Sequence, residues 1–213
     1  MPKLTRSAMP PKIYFVDDDK CFLRMTSEAL RIEGFDVITY LSALELLEDI
    51  KLEAKGCILA DWKIAGMDGI SLMCAARETA NPLPIVFLTG SGDIPSSVEA
   101  MKQGAVDFLT KPVPKEDLIA AIKVALARNE KELRLSSRRG TIEKMFDLLS
   151  PRERQILEYV VQGKLNKQIA DHFAIHQRTV KLHRTSITTK LGLKSVAELT
   201  KFHMEVGSYG KLS

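Results

Sequence analysis

Short apolar runs alternate with stretches of helical periodicity over roughly the first 125 residues. Each run has the length of a β-strand and is separated from the next by one stretch of helical spacing. Strands that alternate with helices in this way are typical of βα units on a parallel sheet. Five units predict a doubly wound α/β domain with strands at Ile13–Val16, Val37–Tyr40, Cys57–Ala60, Ile85–Leu88 and Val106–Leu109.

The helical stretches have recognisable apolar positions and end signals. In the first predicted helix, Phe22, Met25, Ala29 and Ile32 recur at helical spacing, and Gly34 follows as a helix stop. Further helices are predicted near residues 43–50, 69–79 and 95–103, and another begins after Pro114.

The rest of the chain has no strand pattern. Residues 129–149 are rich in charge, which predicts a helical linker: a continued helix, then an interruption near residues 136–140. Ser150, Pro151 and Glu153 have the pattern of an N-cap, a first helical residue and an early acidic residue of a helix. Four helices are expected from there on, so the predicted domains are an α/β domain at 12–128 and an all-α domain at 150–213.

Composition narrows the class of protein. The 213 residues are 45% hydrophobic and 27% charged, an ordinary profile for a globular protein. No apolar run approaches the roughly 20 residues of a membrane span, and the first twelve residues lack the apolar region of a Sec signal peptide. The three cysteines form no CxxC pair, and no metalloprotease-type glutamate separates His172 from His176. We therefore expect a cytoplasmic protein with reduced thiols and without zinc.

Charge is distributed unevenly between the two predicted domains. Residues 1–128 carry 15 basic and 18 acidic side chains, a net charge of −3. Residues 129–213 carry 16 basic and 9 acidic side chains, a net charge of +7. A basic C-terminal domain favours a nucleic-acid partner, although chance asymmetry can give the same numbers.

Reactive polar residues follow four of the five predicted strands. Asp17 and Asp18 follow the first strand, Asp61 the third, Thr89 the fourth and Lys111 the fifth. Since the carboxyl ends of parallel strands form the ligand-binding edge of such a sheet, we expect these side chains to converge. Crowded carboxylates are suitable ligands for Mg²⁺. An aspartate beside Mg²⁺ can accept a phosphoryl group, and a lysine and a hydroxyl group can then stabilise the negative charge on the phosphoryl oxygens. Any one aspartate could instead be a helix cap.

Residues 12–128 resemble the receiver domain of two-component response regulators, which has a flavodoxin-like fold. The matching strings are IYFVDDD, LADWKIAGMDG, VFLTGSGD and AVDFLTKPV. The resemblance implies that a histidine kinase phosphorylates Asp61, with Thr89 as the switch hydroxyl, Lys111 as the lysine and Phe108 as the switch aromatic residue. It also implies Mg²⁺ bound by Asp17, Asp18, Asp61 and the backbone carbonyl of Lys63.

Two positions depart from the family pattern. Ala65 replaces a usual proline, which makes the loop less rigid, and Trp62 replaces a smaller residue directly after Asp61. Trp62 could shield or crowd the acceptor, but neither change removes a reactive group.

The C-terminal pattern predicts a helix-turn-helix. Its second helix covers residues 166–173, and its recognition helix covers 177–191, with Val180, Ile187 and Leu191 facing inward. The strings LSPRE, NKQIA and RTVKLHRTSITTKL resemble the LuxR-type domain, which places the whole chain in the NarL/FixJ class. This resemblance implies base contacts at Lys181, Leu182 and Thr185. It implies backbone contacts at Asn166, Lys167, Arg178, Thr179, His183, Arg184 and Lys190.

The sequence therefore predicts a transcription regulator, not an enzyme, which a sensor histidine kinase switches through Asp61. Phosphorylation is expected to promote a homodimer on an imperfectly palindromic promoter, and RNA polymerase is a candidate partner. Two alternatives remain open at this point. The receiver could be only a dimerisation scaffold for a constitutive DNA binder, or the acidic cluster could belong to a Mg²⁺-dependent phosphatase. Lys63 stands where that phosphatase would need a second carboxylate.

Overall fold

The computed structural model describes residues 12–50, 54–79, 82–90 and 94–210. The chain divides into two compact units, Met1–Leu133 and Arg134–Ser213. Nearly the whole N-terminal segment that bears on the signal-peptide prediction, residues 1–11, lies outside the described residues. No helix among the described residues is long and apolar enough to span a lipid bilayer.

The first unit is the predicted parallel α/β fold. Five strands form one parallel sheet in the order β2-β1-β3-β6-β7, and four helices and part of a fifth accompany them among the described residues. The elements are β1 (Lys12–Val16), α1 (Lys20–Ile32), β2 (Asp36–Tyr40), α2 (Ala43–Asp49), β3 (Gly56–Asp61), β4 (Lys63–Ile64), β5 (Met67–Asp68), α3 (Gly69–Arg77), β6 (Ile85–Thr89), α4 (Ile94–Lys102), β7 (Asp107–Thr110) and α5 (Lys115–Asp147).

Both faces of the sheet are covered, as side-chain alternation along the strands requires. Ile13 and Phe15 of β1 belong to a core cluster that includes residues of α1 and α5. Tyr14 and Val16 belong to the opposite cluster, which includes residues of α2, α3 and α4. All six residues of the central strand β3 are buried, which explains its uninterrupted apolar run.

The apolar positions that mark α1 in the sequence are mostly not the ones that pack inward. The residues that pack inward are Leu23, Ser27 and Leu30, whereas Met25 is 64% exposed and Ile32 is 82% exposed. The helix carries two apolar stripes, and helical periodicity alone cannot tell which one faces the sheet. The serine in the buried stripe is accommodated because its hydroxyl group donates to the backbone oxygen of Arg24 at 2.9 Å.

A small antiparallel hairpin follows the central strand and was not predicted. Its strands, β4 and β5, have two residues each, too few to show a periodic pattern in the sequence. Gly66 lies at the turn with φ +86°, a conformation that glycine adopts without steric cost.

The second unit is helical, as predicted. It contains the end of α5, then α6 (Pro151–Val161), α7 (Asn166–Phe173), α8 (Gln177–Leu191) and α9 (Val196–Ser208). Ser150 is the N-cap of α6, as predicted, and it forms a capping box with Glu153: the Ser150 hydroxyl accepts from Glu153 N, and the Glu153 carboxylate accepts from Ser150 N. Val180, Ile187 and Leu191 are buried, as predicted for α8.

The predicted interruption near residues 136–140 is wrong, because α5 continues through these residues to Asp147. Ion pairs one helical turn apart, such as Arg139–Glu143, stabilise this charge-rich helix. The end of the predicted linker also has a packing role: Ile142, Phe146 and Leu149 are buried in the core of the second unit. The division between the units, after Leu133, falls inside the predicted linker.

Candidate functional site

The parallel register brings the predicted reactive residues to one edge of the sheet. Val16, the residue before Asp17, pairs with Ala60, the residue before Asp61. Asp61 pairs with Leu88, the residue before Thr89. Lys111 follows β7, and its backbone N–H donates to the Thr89 carbonyl oxygen at 2.7 Å.

Lys111 joins two of the predicted carboxylates. Its ammonium nitrogen lies 2.6 Å from Asp17 Oδ2 and 2.8 Å from Asp61 Oδ1. Burial opposes the charged form of Lys111, but the hydrogen bonds to both aspartates outweigh this effect and raise its pKa. Burial also raises the pKa of Asp17, an effect that the contacts with Lys111 only partly offset. The edge therefore holds a cation between two carboxylates in a partly desolvated setting.

Backbone hydrogen bonds orient both carboxylates. Asp17 Oδ1 accepts from Asp19 N at 2.9 Å, and Asp61 Oδ2 accepts from Lys63 N at 3.0 Å. Asp19 is the N-cap of α1, because its carboxylate accepts from the N–H groups of Cys21 and Phe22. Of the three consecutive aspartates, one thus caps a helix, one faces Lys111 and the third, Asp18, is exposed.

The donor chemistry of this edge fits Mg²⁺, which binds hard oxygen ligands. Asp17 and Asp61 already converge on one cationic group, the Lys111 ammonium. Within the described ranges, no three Asp, Glu, His or Cys side chains are grouped as metal ligands, and Asp18 is exposed. Asp17 and Asp61 are the two side chains best placed to hold the ion, with Asp18 and the Lys63 carbonyl as the remaining predicted ligands.

The two predicted switch residues have different surroundings. Thr89 is buried at the end of β6, whereas Phe108 on β7 is half-buried. The Phe108 ring lies edge-on to Trp62, with ring centroids 5.1 Å apart, and Trp62 contacts Phe87 at the same centroid distance. Trp62 is therefore part of the core directly after Asp61 and touches the predicted switch aromatic residue.

In the second unit, α7 and α8 form the predicted helix-turn-helix pair. The exposed side chains of α8 include Gln177, Arg178, Lys181, Leu182 and Thr185. A groove of about 730 Å³ borders this surface, and most of its charged lining is basic. The basic residues that line it are Lys164, Lys167, Lys181 and Arg184. Such a surface suits a polyanion, since lysine and arginine supply most protein contacts to the DNA backbone.

Three of the predicted DNA-contact residues have partners within the protein. The Arg184 guanidinium donates to Asn166 Oδ1 at 3.1 Å, which joins α8 to the start of α7. Lys190 forms a 2.7 Å ion pair with the buried Glu153 on α6. Thr179 and His183 are half-buried, whereas Lys167 is exposed. The pair with Glu153 gives Lys190 a structural role at the α6–α8 contact.

The sequence did not predict the contacts that two residues, Glu153 and Phe22, make in these sites. The Glu153 carboxylate accepts hydrogen bonds from Ser186, Lys190 and the backbone of Ser150, yet the sequence marked it only as an early acidic residue of a helix. The Phe22 ring lies 4.2 Å from the Lys111 ammonium, a cation–π contact between residues 89 positions apart. The spacing of Ser150 and Glu153 signals their local capping contact. No local spacing signals the contacts of Glu153 with Ser186 and Lys190 or that of Phe22 with Lys111, because these depend on tertiary packing.

Two family models match the chain, one in each of the two units. Residues 13–123 match the response regulator receiver domain, and residues 147–203 match the bacterial regulatory proteins of the luxR family. The chain therefore belongs to the two-component response regulators of the NarL/FixJ type, with a receiver followed by a LuxR-type DNA-binding domain. Its family is one of DNA-binding transcriptional regulators.

Individual relatives are similar to this protein along nearly its full chain. The response regulator TodT of Pseudomonas putida is 37% identical over 189 residues, which cover 89% of this chain and 83% of TodT. The transcriptional regulatory protein FixJ of Bradyrhizobium diazoefficiens is 36% identical over 195 residues, covering 92% and 95% respectively. Among solved structures, the response regulator StyR has a TM-score of 0.86 at 37% identity, covering 92% of this chain and 99% of that one.

Proposed function

We propose that a sensor histidine kinase phosphorylates Asp61 and that the phosphoryl group promotes dimerisation and promoter binding. The observation that carries this proposal is the Lys111 ammonium group held between Asp17 and Asp61. A fixed cation beside a carboxylate at the ligand-binding edge of a parallel sheet suits the charge of an acyl phosphate.

In the proposed reaction, a carboxylate oxygen of Asp61 attacks the phosphorus of a phosphohistidine. A P–O bond forms, the P–N bond breaks, and the released imidazole nitrogen takes up a proton. The Lys111 ammonium neutralises the negative charge on one phosphoryl oxygen, and the Thr89 hydroxyl is predicted to donate a hydrogen bond to another. Bound Mg²⁺ supplies further neutralisation of the phosphoryl charge.

The kinase needs a docking surface beside Asp61, and α1 offers one. Its exposed side chains at Cys21, Met25, Ala29 and Ile32 form an apolar stripe. This stripe begins next to Phe22, whose ring contacts Lys111. Met25→Asp or Ile32→Asp is expected to slow phosphotransfer from a kinase while leaving phosphorylation by acetyl phosphate unchanged, since only the protein donor uses this surface.

The output step is proposed to pass through Thr89 and Phe108 to the face formed by α4, β7 and α5. Exposed apolar side chains of α4 (Ile94, Val98 and Met101) give this face a surface that a second copy can bury. A shift of the switch from 1:99 to 99:1 needs roughly 5.5 kcal/mol of differential stabilisation. Two or more charge-assisted hydrogen bonds to the phosphoryl group, at about 1.5–3 kcal/mol each, can supply it.

Mass spectrometry after treatment with acetyl phosphate and Mg²⁺ tests the acceptor. We expect one hydroxylamine-labile phosphoryl group on the wild-type protein and none on Asp61→Ala. Sedimentation of the same samples tests the output, with a dimer favoured only where the adduct forms. A full-strength adduct on another residue of Asp61→Ala would remove the assignment.

DNA affinity separates this proposal from a constitutive DNA binder that uses its receiver as a scaffold. If phosphorylation is the switch, acetyl phosphate should tighten DNA binding by the wild type and leave Asp61→Ala unchanged. Equal affinities of the wild type and Asp61→Ala, each with and without acetyl phosphate, would favour the constitutive DNA binder. Steady turnover of a phosphate ester would instead favour a phosphatase.

A further inference from the structure

Leu182 is an apolar side chain in the middle of the exposed face of α8. It is 63% exposed, although it belongs to a helix whose Val180, Ile187 and Leu191 are buried. Each helical residue turns the side-chain direction by about 100°, so Leu182, two positions after Val180, projects away from the core. Packing within the described part of the second unit therefore does not account for a leucine at this position.

The neighbours of Leu182 on this face are hydrophilic. Arg178 lies one turn before it, Lys181 directly before it and Thr185 nearly one turn after it, and all three are exposed. Lys181 and Thr185 also line the basic groove. The neighbours of Leu182 along this face are therefore of the types that bind phosphates or base edges.

We propose that Leu182 reads the C5-methyl group of a thymine in the major groove and so determines one base pair in each half-site of the promoter. This inference rests on the proposed DNA-binding function and adds the chemistry that its recognition helix selects. Leucine has no hydrogen-bond donor or acceptor, and thymine is the one base that presents a methyl group in the major groove. An apolar side chain at the centre of the reading face thus selects for thymine.

Deoxyuridine scanning tests the contact directly. The full-length protein, treated with acetyl phosphate and Mg²⁺, is used to enrich binding sites from a pool of random duplexes. Each thymine of an enriched duplex is then replaced singly by deoxyuridine, which removes the methyl group and keeps the base pairing. We expect about a four-fold loss of affinity at one thymine in each half-site, the size expected for one buried methyl group.

Variants identify the side chain that makes the contact. Leu182→Ala should bind thymine and deoxyuridine duplexes equally, whereas Leu182→Met, which keeps an apolar side chain, should still prefer thymine. Leu148→Ala is the matched control, because Leu148 is 57% exposed in the turn between α5 and α6. That control should keep the wild-type preference for thymine.

The outcomes separate this inference from the function on which it rests. If no duplex is enriched, DNA recognition itself fails and the inference fails with it. If duplexes are enriched but no thymine is sensitive to loss of its methyl group, only the role of Leu182 is overturned. The same conclusion follows if Leu182→Ala retains the full sensitivity, and circular dichroism of each variant verifies that the helices are intact.

Discussion

A β-carbon on Gly69 would lie 2.3 Å from Cε3 of the Trp62 ring. The indole therefore occupies the space that any other residue would need at the start of α3. The ring also packs against Phe87 and Phe108. Trp62, which the sequence marked as a departure beside the acceptor, is accommodated in the core by a glycine seven positions later. Its contact with Phe108 links the residue after the predicted acceptor, Asp61, to the predicted switch residue.

This relationship predicts that Gly69→Ala destabilises the receiver unit. The added methyl group must displace an aromatic ring in a packed core, which costs typically 1–3 kcal/mol. Urea unfolding of the full chain measures the change in the free energy of unfolding. Combining Gly69→Ala with Trp62→Leu should recover part of the loss, because the smaller side chain leaves room for the methyl group.

Gly90→Ala is the control for this experiment. No heavy atom lies within 4 Å of a β-carbon built on Gly90, and its φ is outside the left-handed region. It should change the free energy of unfolding by much less than Gly69→Ala. Equal losses for the two variants would contradict the packing argument.

The difference between the two faces of α1 shows what the sequence could and could not predict. The order of strands and helices, and the convergence of Asp17, Asp61 and Lys111, follow from patterns that repeat along the chain and from the geometry of parallel sheets. Met25 and Ile32 recur at helical spacing, yet both are exposed. Only the packing of α1 on the sheet distinguishes their stripe from that of Leu23 and Leu30.

The helix that continues through residues 136–140 gives a second prediction. Gly140 lies inside α5, and no heavy atom is within 4 Å of a β-carbon built there. Gly140→Ala should therefore stabilise the second unit by up to about 1 kcal/mol, the difference in helix propensity. Thermal unfolding followed by circular dichroism measures it, and a loss of stability would favour the interruption that the sequence suggested.

Gly163→Ala provides the opposite case in the same unit. Its β-carbon would also meet no atom within 4 Å, but its φ is +77°. The strain of placing alanine in this left-handed conformation should lower the melting temperature. A rise for Gly140→Ala with a fall for Gly163→Ala would separate helix propensity from a general effect of removing glycine.

Glu153 predicts a pH dependence for the stability of the second unit. Burial opposes ionisation of its carboxyl group, but hydrogen bonds from Lys190, Ser186 and Ser150 outweigh burial and lower its pKa from 4.5 to about 2. Because the folded-state pKa is the lower one, the stabilisation is complete above about pH 4.5 and is lost as the pH falls toward 2. It is on the order of 3 kcal/mol.

Urea unfolding between pH 2 and pH 6 tests this dependence, with Glu153→Gln as the comparison. The variant should be less stable than the wild type at pH 6, and its stability should fall less between pH 5 and pH 2. If both proteins lose stability in parallel over that range, another carboxyl group is responsible for the acid sensitivity.

The ion pair between Lys190 and Glu153 predicts that Lys190 contributes to stability more than to phosphate binding. Lys190→Met should lower the free energy of unfolding, because it leaves the buried Glu153 carboxylate without its charged partner. The slope of log affinity for DNA against log salt should stay at the wild-type value. A slope flatter by about one unit would instead assign Lys190 a phosphate contact.

Lys181 and Arg184 should differ in how they contribute to DNA binding. Lys181 is exposed on the face that carries Leu182, and Lys181→Ala should reduce the preference for an enriched duplex over random DNA by about 1–3 kcal/mol. Arg184 is half-buried and bonded to Asn166, an arrangement suited to holding one phosphate. Arg184→Ala should weaken binding to both duplexes equally and flatten the salt dependence by about one unit.

Titrations of both variants across a salt series decide between this division of roles and simple background charge. If the two residues only add positive charge, both variants should lose affinity equally on enriched and random DNA. Lys167→Ala is a useful reference, because Lys167 is an exposed lysine that lines the same groove from α7. It should behave like Arg184→Ala. An unchanged specificity ratio for Lys181→Ala would move the base-reading surface elsewhere on α8.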